Sequence, residues 1–389
     1  MLTPADGVRR FLDDYVRLKS GEQVLIVYTS DSQEALVMLC VELHLRRTGH
    51  VRTWMHPIHD ANLGSRLDAA LAELAAEKDG AAGGLVVVTM ECETFSHSEL
   101  IAARMEAAGR GRARLFRMIS ARPELFATAL LATPGELTAR NARLLHALIP
   151  HDRLRITTSS GTSLEIGLDS RRHRWISNRG ASRFGRAVIL PAGEVATYPQ
   201  TVSGRFVADF AYNMNCHTDV DARLGDNPVT LDIVDGRVVH FTCASAAMSA
   251  LVRQVLAEPN GDRIGELGLG TNPFIREALS ANSHINERRC GVNLGLGQHN
   301  QDGAVVDYYC PMHLDLIASD GLIHDAGGAL LCDLANLADE GSDHDFGEGL
   351  RIDDEDVFAP GEVRIEEEAD CCGGGACGLL QAGKGPVSA

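Results

Sequence analysis

The sequence IGELGLGTNP at residues 264–273 is echoed by GVNLGLGQHN at 291–300 and followed by MHLDLI at 312–317. Each segment has apolar residues at the two-residue spacing of a β-strand, which places its polar residues on one face of a sheet. His313 and Asp315 are two positions apart, so their side chains leave the same side of such a strand. An imidazole and a carboxylate presented together, with Glu266 on a neighbouring strand, favour a divalent-metal site. Because a lone His-Leu-Asp is more often a paired buried histidine beside a surface aspartate, the metal hypothesis depends on the surrounding motifs.

The composition indicates two domains and an acidic end. A chain of 389 residues with 45% hydrophobic residues is long enough to bury two cores. The formal net charge of −17 is unevenly distributed, because residues 333–389 hold fifteen Asp or Glu and three Lys or Arg, which gives −12 there and −5 for the rest. There is no basic patch interleaved with aromatic residues, which argues against a nucleic-acid partner.

The sequence also predicts the compartment. No stretch approaches 18 uninterrupted apolar residues, and the opening MLTPAD lacks the basic start and apolar run of a secretory signal. We therefore expect a soluble, cytoplasmic protein with no membrane partner. Most of the ten cysteines stand singly in apolar runs, as buried reduced thiols do, whereas Cys371, Cys372 and Cys377 lie in a Gly-rich segment where either an idle or a thiol role is open.

Residues 1–125 alternate strand-like and helix-like segments. Continuous apolar runs at 23–28, 51–55, 84–90 and 113–119 are typical of buried strands, and the segments between them have helical spacing. This alternation predicts an α/β fold with a Rossmann-like, doubly wound parallel sheet. The first strand is followed by Thr29-Ser30-Asp31 and not by Gly-x-Gly-x-x-Gly, so we infer no dinucleotide site.

Residues 126–332 have a different pattern, which predicts an α+β domain. A helix is expected from Thr133 to Leu148, and the alternating segments 154–159 and 162–168 predict a hairpin. Further strands are expected at 187–190, 204–210, 229–234 and 237–243, followed by a helix at 246–256. The remainder, 333–389, is acidic and contains Gly and Cys, so we predict a disordered tail.

Five motifs of the second domain occur in an order that resembles the aminopeptidase T (thermophilic leucyl aminopeptidase) family of metallopeptidases. They are LPAGEVATYP (190–199), GELGLGTNP (265–273), GVNLGLG (291–297), His299 and HLD (313–315). The resemblance covers roughly residues 130–330 and, more weakly, the first domain. It implies metal-dependent hydrolysis at a peptide N-terminus with two divalent ions such as Zn, Co or Mn, and a homodimer.

Carried over by position, the resemblance implies that Glu194, Glu266, His313 and Asp315 are metal ligands, with Glu266 a ligand or the general base. The position of one further family histidine is occupied here by Asn293, and His299 is the candidate to replace it. Without that imidazole the remaining set would hold one ion well and a second ion poorly.

Two alternatives stay open at this point. The family has relatives resembling 2,5-dihydroxypyridine 5,6-dioxygenase, which share the terminal His-x-Asp and use one non-haem Fe(II). Here the third ligand would be Glu266, His284 or His299, so the two-His-one-carboxylate pattern is not met in the sequence. In the other alternative the metal site has been lost, and the cleft binds a peptide without catalysis.

Overall fold

The computed structural model describes residues 3–19, 22–46, 51–56, 84–92, 113–182, 187–339, 344–346 and 349–354, with 65, 68, 69 and 72. The chain forms two compact units. Unit 1 comprises Met1–Gly135 and Gly180–Ala192, and unit 2 comprises Glu136–Arg179 and Gly193–Ala389.

Unit 1 contains a five-stranded parallel sheet. Its strands are β1 (Gln23–Thr29), β2 (Val51–His56), β3 (Leu85–Met90), β4 (Ala113–Met118) and β8 (Ala187–Leu190), in the order β2-β1-β3-β4-β8. Its described helices are α1 (Pro4–Arg10), which continues as a π-helix over Phe11–Val16, α2 (Gln33–Arg46) and α3 (Pro123–Ala127). Strands β1, β3 and β8 are apolar along most of their length, as is typical of a parallel sheet that is covered on both faces. The α/β class predicted from the sequence is confirmed.

Strand β8 belongs to the parallel sheet of unit 1, and not to the second domain in which the sequence analysis placed it. The segment 187–190 was expected in the second domain, but it pairs in parallel with β4, from Leu115 opposite Ala187 to Met118 opposite Leu190. The run AVIL suits a fully buried parallel strand, and nothing in its local pattern specifies which sheet it joins.

Unit 2 is built on two seven-stranded sheets. The first has the order β13-β12-β10-β6-β5-β17-β18, and the second, here called the glycine sheet, has the order β11-β16-β15-β14-β9-β7-β19. The strands of the first are β5 (Arg153–Thr157), β6 (Ser163–Gly167), β10 (Thr201–Ala208), β12 (Val229–Val234), β13 (Arg237–Thr242), β17 (Leu322–Asp325) and β18 (Leu330–Asp333). Those of the glycine sheet are β7 (Trp175–Asn178), β9 (Glu194–Thr197), β11 (Ala211–Met214), β14 (Ile264–Gly270), β15 (Val292–Gly297), β16 (His313–Ile317) and β19 (Ile352–Asp353). All pairs are antiparallel except β19 with β7, and the hairpin predicted near 154–168 is the β5–β6 pair.

The hydrophobic core of unit 2 packs against one face of the glycine sheet. The described α-helices of this unit are α4 (Pro134–Leu148), whose first two residues belong to unit 1, α5 (Ala246–Ala257) and α6 (His284–Glu287). The core includes the strand leucines of β14, β15 and β16, which are Leu267, Leu269, Leu294, Leu296, Leu314 and Leu316. Because side chains alternate along a strand, the residues between these leucines face the opposite side of the sheet. That opposite side carries the candidate site.

The first part of the predicted tail is folded. Leu334 and Leu337 are buried in the core of unit 2, and Ile352–Asp353 forms β19. Asp353 and Asp354 accept from the guanidinium groups of Arg174 and Arg179 at 3.0 and 2.6 Å. The described residues between 333 and 354 therefore belong to unit 2, and residues 355–389, with Cys371, Cys372 and Cys377, lie outside the described part of the chain.

Among the helices that the structure describes, none combines the length and the apolar character that a bilayer crossing requires.

Candidate metal centre

Glycines on the glycine sheet leave room for the polar side chains between them. In the register of β14, β15 and β16, Gly295 lies between Glu266 and Asp315, and Gly297 pairs with His313. A Cβ at Gly295 would come within 2.7 Å of His313 Cε1, 2.9 Å of Glu266 Cβ and 3.0 Å of Asp315 Oδ1. Such contacts are shorter than carbon and oxygen atoms tolerate. The three side chains can converge only because this position has no side chain of its own.

Glu266, His313 and Asp315 each present one ligand atom to a common point, and these atoms lie within 4.8 Å of one another. His313 Nε2 is 3.1 Å from Asp315 Oδ1 and 4.0 Å from Glu266 Oε2. Both carboxylates are buried, whereas the His313 side chain is 20% exposed. The group is therefore reached by solvent through its histidine.

One backbone contact orients the His313 ring. Its Nδ1 lies 2.9 Å from the carbonyl oxygen of Gln298, which can only accept, so Nδ1 carries the hydrogen. Nε2 then faces the two carboxylates. Metal-binding histidines are commonly held in this way, with one ring nitrogen donating to a backbone oxygen and the other left to bind the ion. Burial alone would favour the neutral ring, but Asp315 and Glu266 outweigh it and raise the pKa of His313 to about 10.

Asp315 has an oxygen available for a ligand. No described residue gives Oδ1 a hydrogen bond of good geometry, although His313 Nε2 is close to it. Burial opposes ionisation, but the charge of the adjacent His313 ring, a hydrogen bond from Glu287 and the charge of His284 together lower the pKa of Asp315. A buried, ionised oxygen beside an imidazole nitrogen and a second carboxylate fits a divalent cation. The residues present thus fit one metal ion.

Glu194 does not join this group. Both of its oxygens are already bound, because Asn293 Nδ2 donates to Oε1 at 2.9 Å and Arg288 Nη1 donates to Oε2. The structure therefore shows Glu194 in an ion pair with Arg288, and not beside Glu266, His313 and Asp315 as the resemblance implied. Asn293, at the position of the expected histidine, is a hydrogen-bond partner of Glu194.

His299 is also held by the protein. Its Nδ1 accepts from the backbone N–H of Gln301 at 3.2 Å, and Nε2 lies 2.9 Å from the carbonyl oxygen of Tyr308. With both ring nitrogens engaged, His299 is not placed in the group of Glu266, His313 and Asp315, and the geometry does not support its predicted role as the replacement ligand. His284, at the start of α6, is likewise outside that group within the described residues.

Three residues of this region were missed by sequence reasoning. Glu287 and Arg288 are buried at the end of α6, and Asn213 of β11 donates through Nδ2 to Glu287 Oε1. Burial, with the charges of Asp315 and Glu266, raises the pKa of Glu287. The one signal in the sequence was that Glu287 and Arg288, of opposite charge, are adjacent at the end of a single helical turn. It does not predict burial, because charged pairs of this kind are usually exposed to solvent.

Comparison with known proteins gives one partial match to a family model and several solved structures of similar fold. A family model described as Crocagin biosynthetic protein CgnE/B matches residues 199–314, a region that contains Glu266 and His313 and ends one residue before Asp315. A search of curated proteins gave no match.

Two of these solved structures are similar in fold over most of the chain and distant in sequence. The structure of 2,5-dihydroxypyridine dioxygenase from Pseudomonas putida KT2440 has a TM-score of 0.57 at 16% identity, over 90% of this chain and 100% of the other. Wild-type AmpT from Thermus thermophilus, of the aminopeptidase T family, has a TM-score of 0.52 at 13% identity, over 85% of this chain and 97% of the other. At these identities the likeness shows a distant relationship of fold.

Proposed function

We propose that this protein is a metal-dependent hydrolase that binds one divalent ion through Glu266, His313 and Asp315 and acts at the N-terminus of a peptide. The observation that carries the proposal is the convergence of these three ligand atoms on the face of the sheet where Gly295 leaves room for them, with the His313 ring oriented by the Gln298 carbonyl. The peptide substrate rests on the resemblance of the motifs around Glu194 and Glu266 to the aminopeptidase T family.

A divalent ion bound there would supply Lewis-acid chemistry, namely a lowered pKa of bound water and polarisation of a carbonyl group. The chain itself would do three things. His313 and Asp315 would hold the ion, and the buried surroundings would limit the access of water to the exposed side at His313. Glu266, whose Oε2 is 4.0 Å from His313 Nε2, would either bind the ion or accept a proton from the water. Glu266 is either a ligand or the general base, and removing its charge distinguishes the two roles, because loss of a ligand lowers metal affinity and loss of a base lowers turnover.

A second candidate is oxygen chemistry at a single ferrous ion. The capture of Glu194 by Arg288 favours it, since this leaves ligand atoms for one ion. The ligand set of one imidazole and two carboxylates differs from the two-His-one-carboxylate triad of such oxygenases, so hydrolysis remains the first proposal.

The test is metal content per chain by elemental analysis, on protein purified without chelator and then soaked with Zn, Co, Mn or anaerobic Fe(II). We expect one equivalent of Zn, Co or Mn in the wild type and in His217→Gln, a control on a half-exposed histidine, and its loss in His313→Gln. A preference for Fe(II) would move the function to the second candidate. Absence of stoichiometric metal under every condition would refute both and favour a non-catalytic peptide-binding protein.

Glu266→Gln gives a second test, on turnover of a peptide with N-terminal leucine. We expect metal to be retained at reduced affinity and turnover to fall at least about 100-fold, the usual contribution of a positioned acid or base. Unchanged turnover would remove Glu266 from the mechanism.

A further inference from the structure

The glycine sheet carries a second polar group beside the candidate metal ligands, built around a buried arginine. Arg288 follows the short helix α6, and its own carbonyl oxygen accepts from the backbone N–H of Asn272 at 2.9 Å. A Cβ at Gly270 would lie 1.8 Å from the carbonyl oxygen of Arg289, so this glycine allows the end of α6 to approach the sheet. The guanidinium group is thereby fixed over the polar face.

Arg288 bridges two acidic side chains there. It donates to Glu194 Oε2 and lies 3.1 Å from Glu287 Oε2, and all three side chains are at least nine-tenths buried. The other oxygen of Glu194 is taken by Asn293 Nδ2. Both oxygens that Glu194 could offer to a cation are therefore occupied by donors from the protein.

We infer that Arg288 acts as a built-in cation that occupies Glu194 and so restricts this face of the sheet to a single metal ion, held by Glu266, His313 and Asp315. The inference rests on the proposed metal centre and adds to it a residue that sets the number of ions.

The physical basis is competition for one carboxylate. A guanidinium stays charged at any pH a protein experiences and directs several N–H groups in a fixed plane, which suits it to buried carboxylates. A second metal ion at Glu194 would have to displace it and leave a buried arginine cation without that partner, which is strongly unfavourable. Asn293 reinforces the restriction because its Nδ2 donates to Glu194 Oε1 and so occupies the second oxygen of this carboxylate.

The experiment compares metal stoichiometry in three proteins by native mass spectrometry and by Mn(II) titration followed by electron paramagnetic resonance. Wild type should bind one Mn(II). Arg288→Gln, which leaves Glu194 without its counter-ion, should bind a second ion with at least tenfold higher affinity than any second site in the wild type. The double variant Glu194→Gln with Arg288→Gln removes both charges and should return to one ion.

The outcomes separate this inference from the proposed function. Two ions in the wild type, or one ion in Arg288→Gln, would overturn the role of Arg288 and leave the metal centre standing. Absence of metal from the wild type would instead refute the proposed function. If circular dichroism shows that Arg288→Gln is not folded, the wild type decides: an uncoupled Mn(II) spectrum that saturates at one equivalent supports the inference, and spin coupling at excess metal contradicts it.

Discussion

At the scale of single residues, His313 shows how one backbone hydrogen bond sets the properties of the site. The Gln298 carbonyl fixes the proton on Nδ1 and leaves Nε2 toward Asp315 and Glu266. Without metal, those carboxylates raise the pKa of His313 to about 10, so the ring is an imidazolium at neutral pH. A metal ion needs the neutral nitrogen and must displace that proton.

This competition predicts a pH-dependent metal affinity. Because His313 must lose one proton, the apparent Kd for Zn or Mn should fall about tenfold for each pH unit gained between about pH 6 and 9 and level off near 10. Calorimetry in two buffers of different ionisation enthalpy should detect the release of about one proton per ion at pH 7. Binding that is independent of pH, with no proton transferred to buffer, would contradict the assigned state of His313.

At the scale of elements, the polar face of the glycine sheet depends on residues that lack side chains. Gly295 lies beneath all three ligands, and the leucines on either side of it anchor the strand in the core. The alternation in the sequence therefore has two functions, since the leucines fix the register and the glycines open space above the sheet.

Gly295→Ala tests this arrangement. The added methyl group would meet His313, Glu266 and Asp315 within 3.0 Å, so we expect at least a tenfold loss of metal affinity and about 1–3 kcal/mol of destabilisation from overpacking. Gly303→Ala is the matched control, because a Cβ there meets no described atom within 4 Å and its φ is not in the left-handed region. Metal binding by calorimetry and urea unfolding are the measurements. Equal behaviour of the two variants would show that the space above Gly295 is not required.

The same alternation explains what could be predicted at this scale. That His313 and Asp315 share a face of the sheet could be predicted from strand spacing, because side chains two apart on a strand point the same way. Glu266 lies on another strand, and its place beside them depends on the order β14-β15-β16, which strand spacing does not give. The capture of Glu194 by Arg288 did not follow, since the two residues are 94 positions apart and their pairing depends on how α6 packs on the sheet. Long-range partners of this kind leave no trace in local patterns.

At the scale of the whole molecule, the chain passes between its units more often than the sequence suggested. Residues 180–192 return to unit 1 and add β8 to its parallel sheet. Residues 344–346 and 349–354 are part of unit 2, where His344 Nε2 lies 3.0 Å from Ser177 Oγ and the Phe346 ring lies 4.4 Å from that of His146. Acidic composition predicted disorder for this segment, but Asp353 pairs with the buried Arg174 and Asp354 with the half-buried Arg179.

Truncation measures the contribution of that segment. A chain ending after residue 339 loses β19 and leaves Arg174, a buried cation, without Asp353, and Arg179 without Asp354. Asp353 is 31% exposed, so removing it costs less than the roughly 3–5 kcal/mol of a fully buried pair, but the loss of both pairs together with β19 should lower Tm by roughly 5 °C or more in calorimetric scans. A chain ending after residue 354 keeps each of these contacts and is the control, with an expected Tm within about 2 °C of the full chain. If both truncations lowered Tm equally, the stabilising contacts would have to lie beyond residue 354; if neither did, the pairing of β19 and its aspartates would contribute nothing measurable to unit 2.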